Sequence, residues 1–212
     1  MDSIKLKPPH KFFERYLDND LEDLYNYLEN KLDEMLSGNL GIPDDILSRY
    51  TKYTGAATQL GQNYNVFLFD HPGILALQEG LRSAIAEAVD YYDLSKDLKF
   101  KLRGWFNFDQ KADSSGSVNP TKDSVFFHDH MGGEGAPVFH GYYCVHAEPS
   151  ITFYDIDRKG NIFENINKNN RLILSETGHP HGRDDWHDDK PRITVAYDIS
   201  PNQHMGGDWI DL

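Results

Sequence analysis

Two histidines one residue apart, His128-Asp129-His130, are the first feature of this 212-residue chain that suggests chemistry. In an extended strand the side chains at i and i+2 leave the same face. His128 and His130 therefore present two imidazoles side by side while Asp129 points away. Neutral imidazole suits divalent transition metals, and a third ligand from a distant strand completes a facial set with open positions. His181 is the leading candidate for that third place. Of the ten histidines, seven fall between His128 and His187, so rivals exist. His179 and His187 flank His181 as alternative distal ligands, and Asp129 is an alternative second ligand if a bulge turns it inward. His187 stands too close to Arg192 for both to enter one site, and His179 shares a face with His181 if that segment is extended. His140 and His146 fall on one face of one strand, towards a pocket or towards solvent. Cys144 reads as an inert buried thiol, since nothing nearby in sequence lowers its pKa.

These residues need elements to hold them. Between Phe12 and Leu36 the apolar positions Phe13, Leu17, Leu21, Leu24, Leu28, Leu32 and Met35 recur every three or four residues, as in an amphipathic helix. A break is expected near Asp18-Asn19-Asp20, where Asp20 caps a second helix, and Ser37-Gly38-Asn39 supplies the stop. A further helix is expected from Pro72 to about Tyr92, with Asp70 as N-cap and Pro72 in the first turn. From Leu98 the period changes to two. Phe100, Leu102, Gly104, Phe106 and Phe108 alternate with Lys99, Lys101, Arg103, Trp105 and Asn107. A polar loop over Ala112–Ser117 follows, then strand-like runs at Ser124–His130, Val138–His146, Ile151–Tyr154, Arg171–Leu174 and Arg192–Ile199. Short strands separated by turn signals predict a mainly β chain with N-terminal helices, built as a sandwich or barrel-like jelly roll. The expected organisation is one domain, with a helical part over about 1–97, a core over about 98–200 carrying the metal site, and a tail over 201–212.

A domain of this size needs no disulfide or structural metal to fold, so a metal site points to function. Acidic residues outnumber basic ones 34 to 21, giving a net charge of −13. That balance argues against gripping a nucleic-acid backbone, which requires basic surface. One cysteine forms no internal disulfide. The N-terminus shows no apolar signal-peptide region, and no apolar run approaches the ~20 residues of a membrane span. Together these imply a soluble cytoplasmic protein.

From Trp105 to Asp198, a little under half the chain, the sequence resembles the iron(II)- and 2-oxoglutarate-dependent oxygenases, in particular a compact microbial and phage subgroup. The matching pieces, in order, are Trp105-Phe106-Asn107, His128-Asp129-His130, His140-Gly141-Tyr142-Tyr143-Cys144-Val145, Ile151-Thr152-Phe153-Tyr154-Asp155, Pro180-His181 and Pro191-Arg192-Ile193-Thr194-Val195-Ala196-Tyr197. The resemblance implies a double-stranded β-helix (jelly-roll) core with helices packed on one sheet. It implies Fe(II) on His128, His130 and His181, with 2-oxoglutarate as cosubstrate and O2 as co-reactant. It further implies hydroxylation of an unidentified prime substrate with release of succinate and CO2. The setting would be a host cytoplasm if the gene is a phage's. Asn107, Tyr142 and Tyr143 match positions near the cosubstrate. The family usually carries a carboxylate where this chain has His130, which removes one negative charge from the ligand set.

The Arg192-Ile193-Thr194 motif also has its own physics. An arginine fork gives a carboxylate two parallel charge-assisted hydrogen bonds, and a hydroxyl two residues on adds a third. The plainer possibility is that Arg192 pairs with a surface acid such as Asp188 or Asp189. Two other readings compete with the oxygenase. One is a cupin-like metal protein, needing no cosubstrate, that uses His128, His130, Glu134 and His181; its weakness is that Glu134 lies in a glycine-rich turn. The other is a jelly roll that has kept only its fold.

Overall fold

Period-two patterning builds a large antiparallel sheet, and two helices cover one of its faces. The computed structural model describes residues 11–36, 55–57, 65–111, 125, 127–130, 137–202 and 208–212. Its helices are α1 (Leu21–Leu36) and α2 (Pro72–Tyr91). Its strands are β1 (Phe13–Tyr16), β2 (Gly55–Ala57), β3 (Lys101–Asp109), β4 (Phe139–His146), β5 (Ile151–Asp155), β6 (Ile162–Ile166), β7 (Arg171–Glu176), β8 (His181–Arg183), β9 (Arg192–Ser200) and β10 (Ile210–Asp211). The large sheet runs β1-β7-β4-β9-β3-β10, with β2 also on β3, and the small one runs β6-β5-β8.

The two faces of the large sheet have different work. Leu102, Phe106, Phe139, Tyr143, Leu172, Leu174, Ile193, Val195, Tyr197 and Ile199 face one way and join Leu24, Leu28, Leu77, Leu81 and Ile85 of the helices in the main core. Full burial contributes roughly 1.5–3 kcal/mol per large apolar side chain, so this layer anchors the molecule. The opposite face carries Trp105, Tyr142, Cys144, Ile173 and Ala196, which pack with Tyr154 of the small sheet. Polar side chains share that second face and form the site.

Gly141 permits a close approach on the core face. A Cβ there would sit 1.9 Å from the Ile173 carbonyl oxygen and 2.7 Å from Tyr197 Cε2. The Tyr197 hydroxyl donates to the Ile173 carbonyl at 2.7 Å, across the space a side chain would fill.

Several expectations need correcting. Phe13–Tyr16 is a strand, paired with β7 from Phe13↔Leu174 to Tyr16↔Arg171. Its apolar spacing continues that of α1 by coincidence, and a partner distant in sequence decides its form. Asp20 does cap α1, accepting from the Glu22 and Asp23 amides. The cap of α2 is His71 and not Asp70: its Nδ1 accepts from the Gly73 amide at 3.1 Å, while its Nε2 reaches Asp23 Oδ2. The tail is partly sheet, since Ile210 and Asp211 pair with Leu102 and Lys101. Within the expected strand at Ser124–His130, the described pairing is one bridge, His128 with His181. The Ser37-Gly38-Asn39 stop, the Ala112–Ser117 loop and Glu134 lie outside the described residues. No described helix is long and apolar enough to cross a membrane.

Candidate metal centre

The site begins with a backbone pairing. The His128 amide donates to the His181 carbonyl at 3.0 Å, and the His181 amide donates to the His128 carbonyl at 2.8 Å. Residues opposed in this way point their side chains to the same face. Their rings accordingly lie 4.6 Å apart, and His130, two positions on, puts its ring 5.4 Å from His128 and 5.3 Å from His181. A metal–nitrogen bond of about 2.0–2.1 Å puts an ion about 3.2 Å from the centre of each imidazole. Rings converging on one ion at 90–110° are then about 4.5–5.3 Å apart, close to the 4.6, 5.3 and 5.4 Å of this trio. One ligand atom from each of the three lies within 4.8 Å of those of the other two.

The nitrogens are oriented for that role. His181 Nδ1 lies 3.1 Å from the His179 carbonyl oxygen. A carbonyl can only accept, so Nδ1 carries the proton and Nε2 keeps its lone pair. His130 Nδ1 lies 2.8 Å from Asp198 Oδ1. Its Nε2 is buried and has no hydrogen-bond partner. A buried polar atom left unsatisfied costs about 1–3 kcal/mol, which a bound ion would relieve. The residues present therefore fit a divalent transition metal.

The electrostatics favour neutral imidazoles, the form that ligates. Burial, then the charges of His140 and His128, depress His181 well below the ordinary histidine pKa. Burial and then His130 lower His128. Burial brings His140 down to about 4, with His130 adding to the effect. Burial alone would raise the Asp198 carboxyl, but hydrogen bonds from His130 and His140 outweigh it and bring it down to about 2.

His130, His140 and Asp198 form a second close group. The His130 and His140 rings stack at 3.7 Å with planes 28° apart. His130 belongs to both groups, and in this one its Nδ1 faces the Asp198 carboxylate.

Other candidates fall in different places. Asp129 points away and accepts from Arg158 at 2.6 Å. His179 lends its carbonyl to His181, and His187 is exposed. A bulge between Cys144 and His146 pairs His146 with Ile193. It thus leaves the face of His140, and its ring sits edge-on to Tyr25 and Trp186. Tyr143 is a correction. It lies in the main core, with its hydroxyl bonded to Asn19 and Asn170, on the opposite face from the site. Tyr142 takes the inward place, bonded to Asn165 and Asn167.

Arg192 and Thr194 face inward on β9, opposite Asp109 and Asn107 of β3. Asn107 Nδ2 donates to Thr194 Oγ1 at 3.3 Å. Arg192 meets neither Asp188 nor Asp189. Its Nε donates to Asp109 Oδ2, and Nη1 and Nη2 donate to the carboxylate and carbonyl of Asp184, all at 3.0 Å. Asp109 also takes Arg183, two residues beyond His181. Sequence reasoning missed Asp109, Arg183, Asp184 and Asp198. Period two was the signal for two of them: Asp109 continues Trp105 and Asn107, and Asp198 continues Arg192, Thr194 and Ala196.

No family model and no curated protein matches the sequence. The chain is similar, at low identity, to several solved structures. One is the dioxygenase for auxin oxidation 1 from Arabidopsis thaliana, solved with 2-oxoglutarate, at 11% identity and a TM-score of 0.46 over 63% of this chain and 52% of that one. Another is an oxidoreductase of the 2OG-Fe(II) oxygenase family from Burkholderia pseudomallei, at 11% identity and 0.44 over 64% and 61%. A third is the viral collagen prolyl hydroxylase of Paramecium Bursaria Chlorella virus-1 in a truncated form, at 7% identity and 0.45 over 94% and 97%. The chain spans about half the length of the first and about three-fifths of the second.

Proposed function

We propose that this chain is an iron(II)- and 2-oxoglutarate-dependent oxygenase, a hydroxylase of a substrate still to be identified that releases succinate and CO2. One observation carries the reading: three imidazoles from two chain segments stand at the separations of a common ion, with His130 Nε2 buried and unpartnered. Strand order supports it. β7-β4-β9-β3 lie side by side, and the His128 bridge extends β6-β5-β8 to a fourth member, an arrangement that supports reading the two sheets as the layers of a double-stranded β-helix. The order of motifs from Trp105 to Thr194 adds to this.

His128, His130 and His181 would hold the iron, which with 2-oxoglutarate and O2 supplies the oxidising chemistry. The protein orients the three imidazoles, favours the neutral form of His128 and His181 through burial, and lines the interior between the trio and Arg192 with Trp105, Asn107 and Thr194. Arg192 is proposed to take the distal carboxylate of 2-oxoglutarate. A bidentate pair needs two donors on one edge of the guanidinium, so Asp184 would give way. Burial raises the Asp184 carboxyl above its ordinary pKa.

Anaerobic calorimetry of 2-oxoglutarate into Fe(II)-loaded protein tests the reading. One equivalent should bind, with much weaker binding to metal-free protein. No heat at millimolar 2-oxoglutarate would remove the cosubstrate from the account.

A further inference from the structure

Within the metal reading proposed above, on which this rests, we infer that Asp198 is a positioning residue for the centre. Its Oδ1 fixes His130 with Nε2 aimed at the ion, and it returns from outside the ligand set the negative charge that a three-histidine set lacks.

The geometry is specific. Asp198 Oδ1 lies 2.8 Å from His130 Nδ1 and 3.0 Å from His140 Nδ1. A carboxylate oxygen accepts from both rings, so His130 must carry its proton on Nδ1. In the neutral, ligating ring Nε2 is then the lone-pair nitrogen, and this is the buried atom without a partner. His140 completes the device. Its side chain is 4% exposed, it is directly opposite Asp198 across β4 and β9, and its ring stacks on His130 at 3.7 Å. Trp105 flanks His130 at 5.7 Å with planes only 11° apart. The His130 ring is thereby covered on one face by His140 and held from behind by an acceptor, with Trp105 beside the pair, 6.4 Å from His140. A carboxylate behind a ligating imidazole orients it and raises its basicity, and losing such a partner typically weakens metal binding about 10- to 100-fold.

Two measurements test this. In metal-free protein, nitrogen-15 NMR should find His130 as the Nδ1–H tautomer, both in the wild type and in Asp198→Asn, whose amide oxygen still accepts. Asp198→Ala should lose that preference. Titration with Co(II) should show about 10-fold weaker binding for Asp198→Asn and up to about 100-fold for Asp198→Ala. The visible Co(II) spectrum should shift in both variants. Unchanged affinity and tautomer in Asp198→Ala would overturn the inference. So would a loss in Asp198→Asn as complete as that in His181→Ala, because Asp198 would then be a ligand. A wild type that takes up no Co(II) would instead overturn the metal reading itself.

Discussion

His128 and His181 exchange both of their backbone hydrogen bonds, at 3.0 and 2.8 Å, although neither neighbour of His128 joins a described ladder. The centre is therefore set by a main-chain contact as well as by side chains. Two segments far apart in sequence meet at one residue pair, and period two then delivers His130 beside them.

Arg192 and Asp184 should have opposite effects on 2-oxoglutarate affinity. Arg192→Ala removes the fork and leaves the ligand's charge unpaired in a partly dry site. Truncating one partner of such a pair costs roughly 2–5 kcal/mol, or about 30- to several-thousand-fold. Arg192→Lys should recover part of it. Asp184→Asn weakens the bond that the cosubstrate must displace and should tighten binding several-fold. Anaerobic calorimetry reads all three, and equal affinity in Arg192→Ala and wild type would rule out the assigned contact.

The Cys144 thiol should resist alkylation in the folded protein. Burial pushes its pKa up to about 12. Because the thiolate is the reactive form, raising the pH from 7 to 9 should leave labelling negligible until the chain unfolds. Mass spectrometry after iodoacetamide treatment, with and without denaturant, reads this. Rapid labelling of the native protein at pH 8 would contradict it.

Gly141→Ala should destabilise the fold. The new methyl would meet the Ile173 carbonyl and the Tyr197 ring, both held by the hydroxyl bond between them. Overpacking of this kind typically costs about 1–3 kcal/mol or more. A urea midpoint equal to the wild type's would show that the sheet absorbs the methyl without loss.

Glu134→Gln separates the oxygenase from the cupin-like alternative. Iron affinity should change little if His128, His130 and His181 are the whole protein ligand set. A large loss, with no effect of Arg192→Ala on any ligand, would favour the cupin reading.

The legibility of these features followed their range in the chain. α2 and β3 could be read because their periods run through many residues. The His128-x-His130 pair could be read because period two is a local rule. β1 could not, because four residues with helical spacing take their form from β7. The phase of Tyr142 and Tyr143 was hidden because both are aromatic, and the packing of Tyr197 over Gly141 decides it. The partners of Arg192 were hidden for another reason. Asp188 and Asp189 are near in sequence, but Asp189 pairs with Lys111, while Asp109 arrives from β3.

Iron stoichiometry tests the central claim most directly. Wild-type protein titrated anaerobically with Fe(II) should bind one equivalent tightly. His128→Ala, His130→Ala and His181→Ala should each lose that binding while keeping the melting temperature of the metal-free wild type, because the main core lies on the other face of the sheet. His130→Asp should retain more affinity than His130→Ala, since a carboxylate there can still ligate. One tightly bound equivalent in His181→Ala, or none in the wild type, would contradict the three-histidine centre.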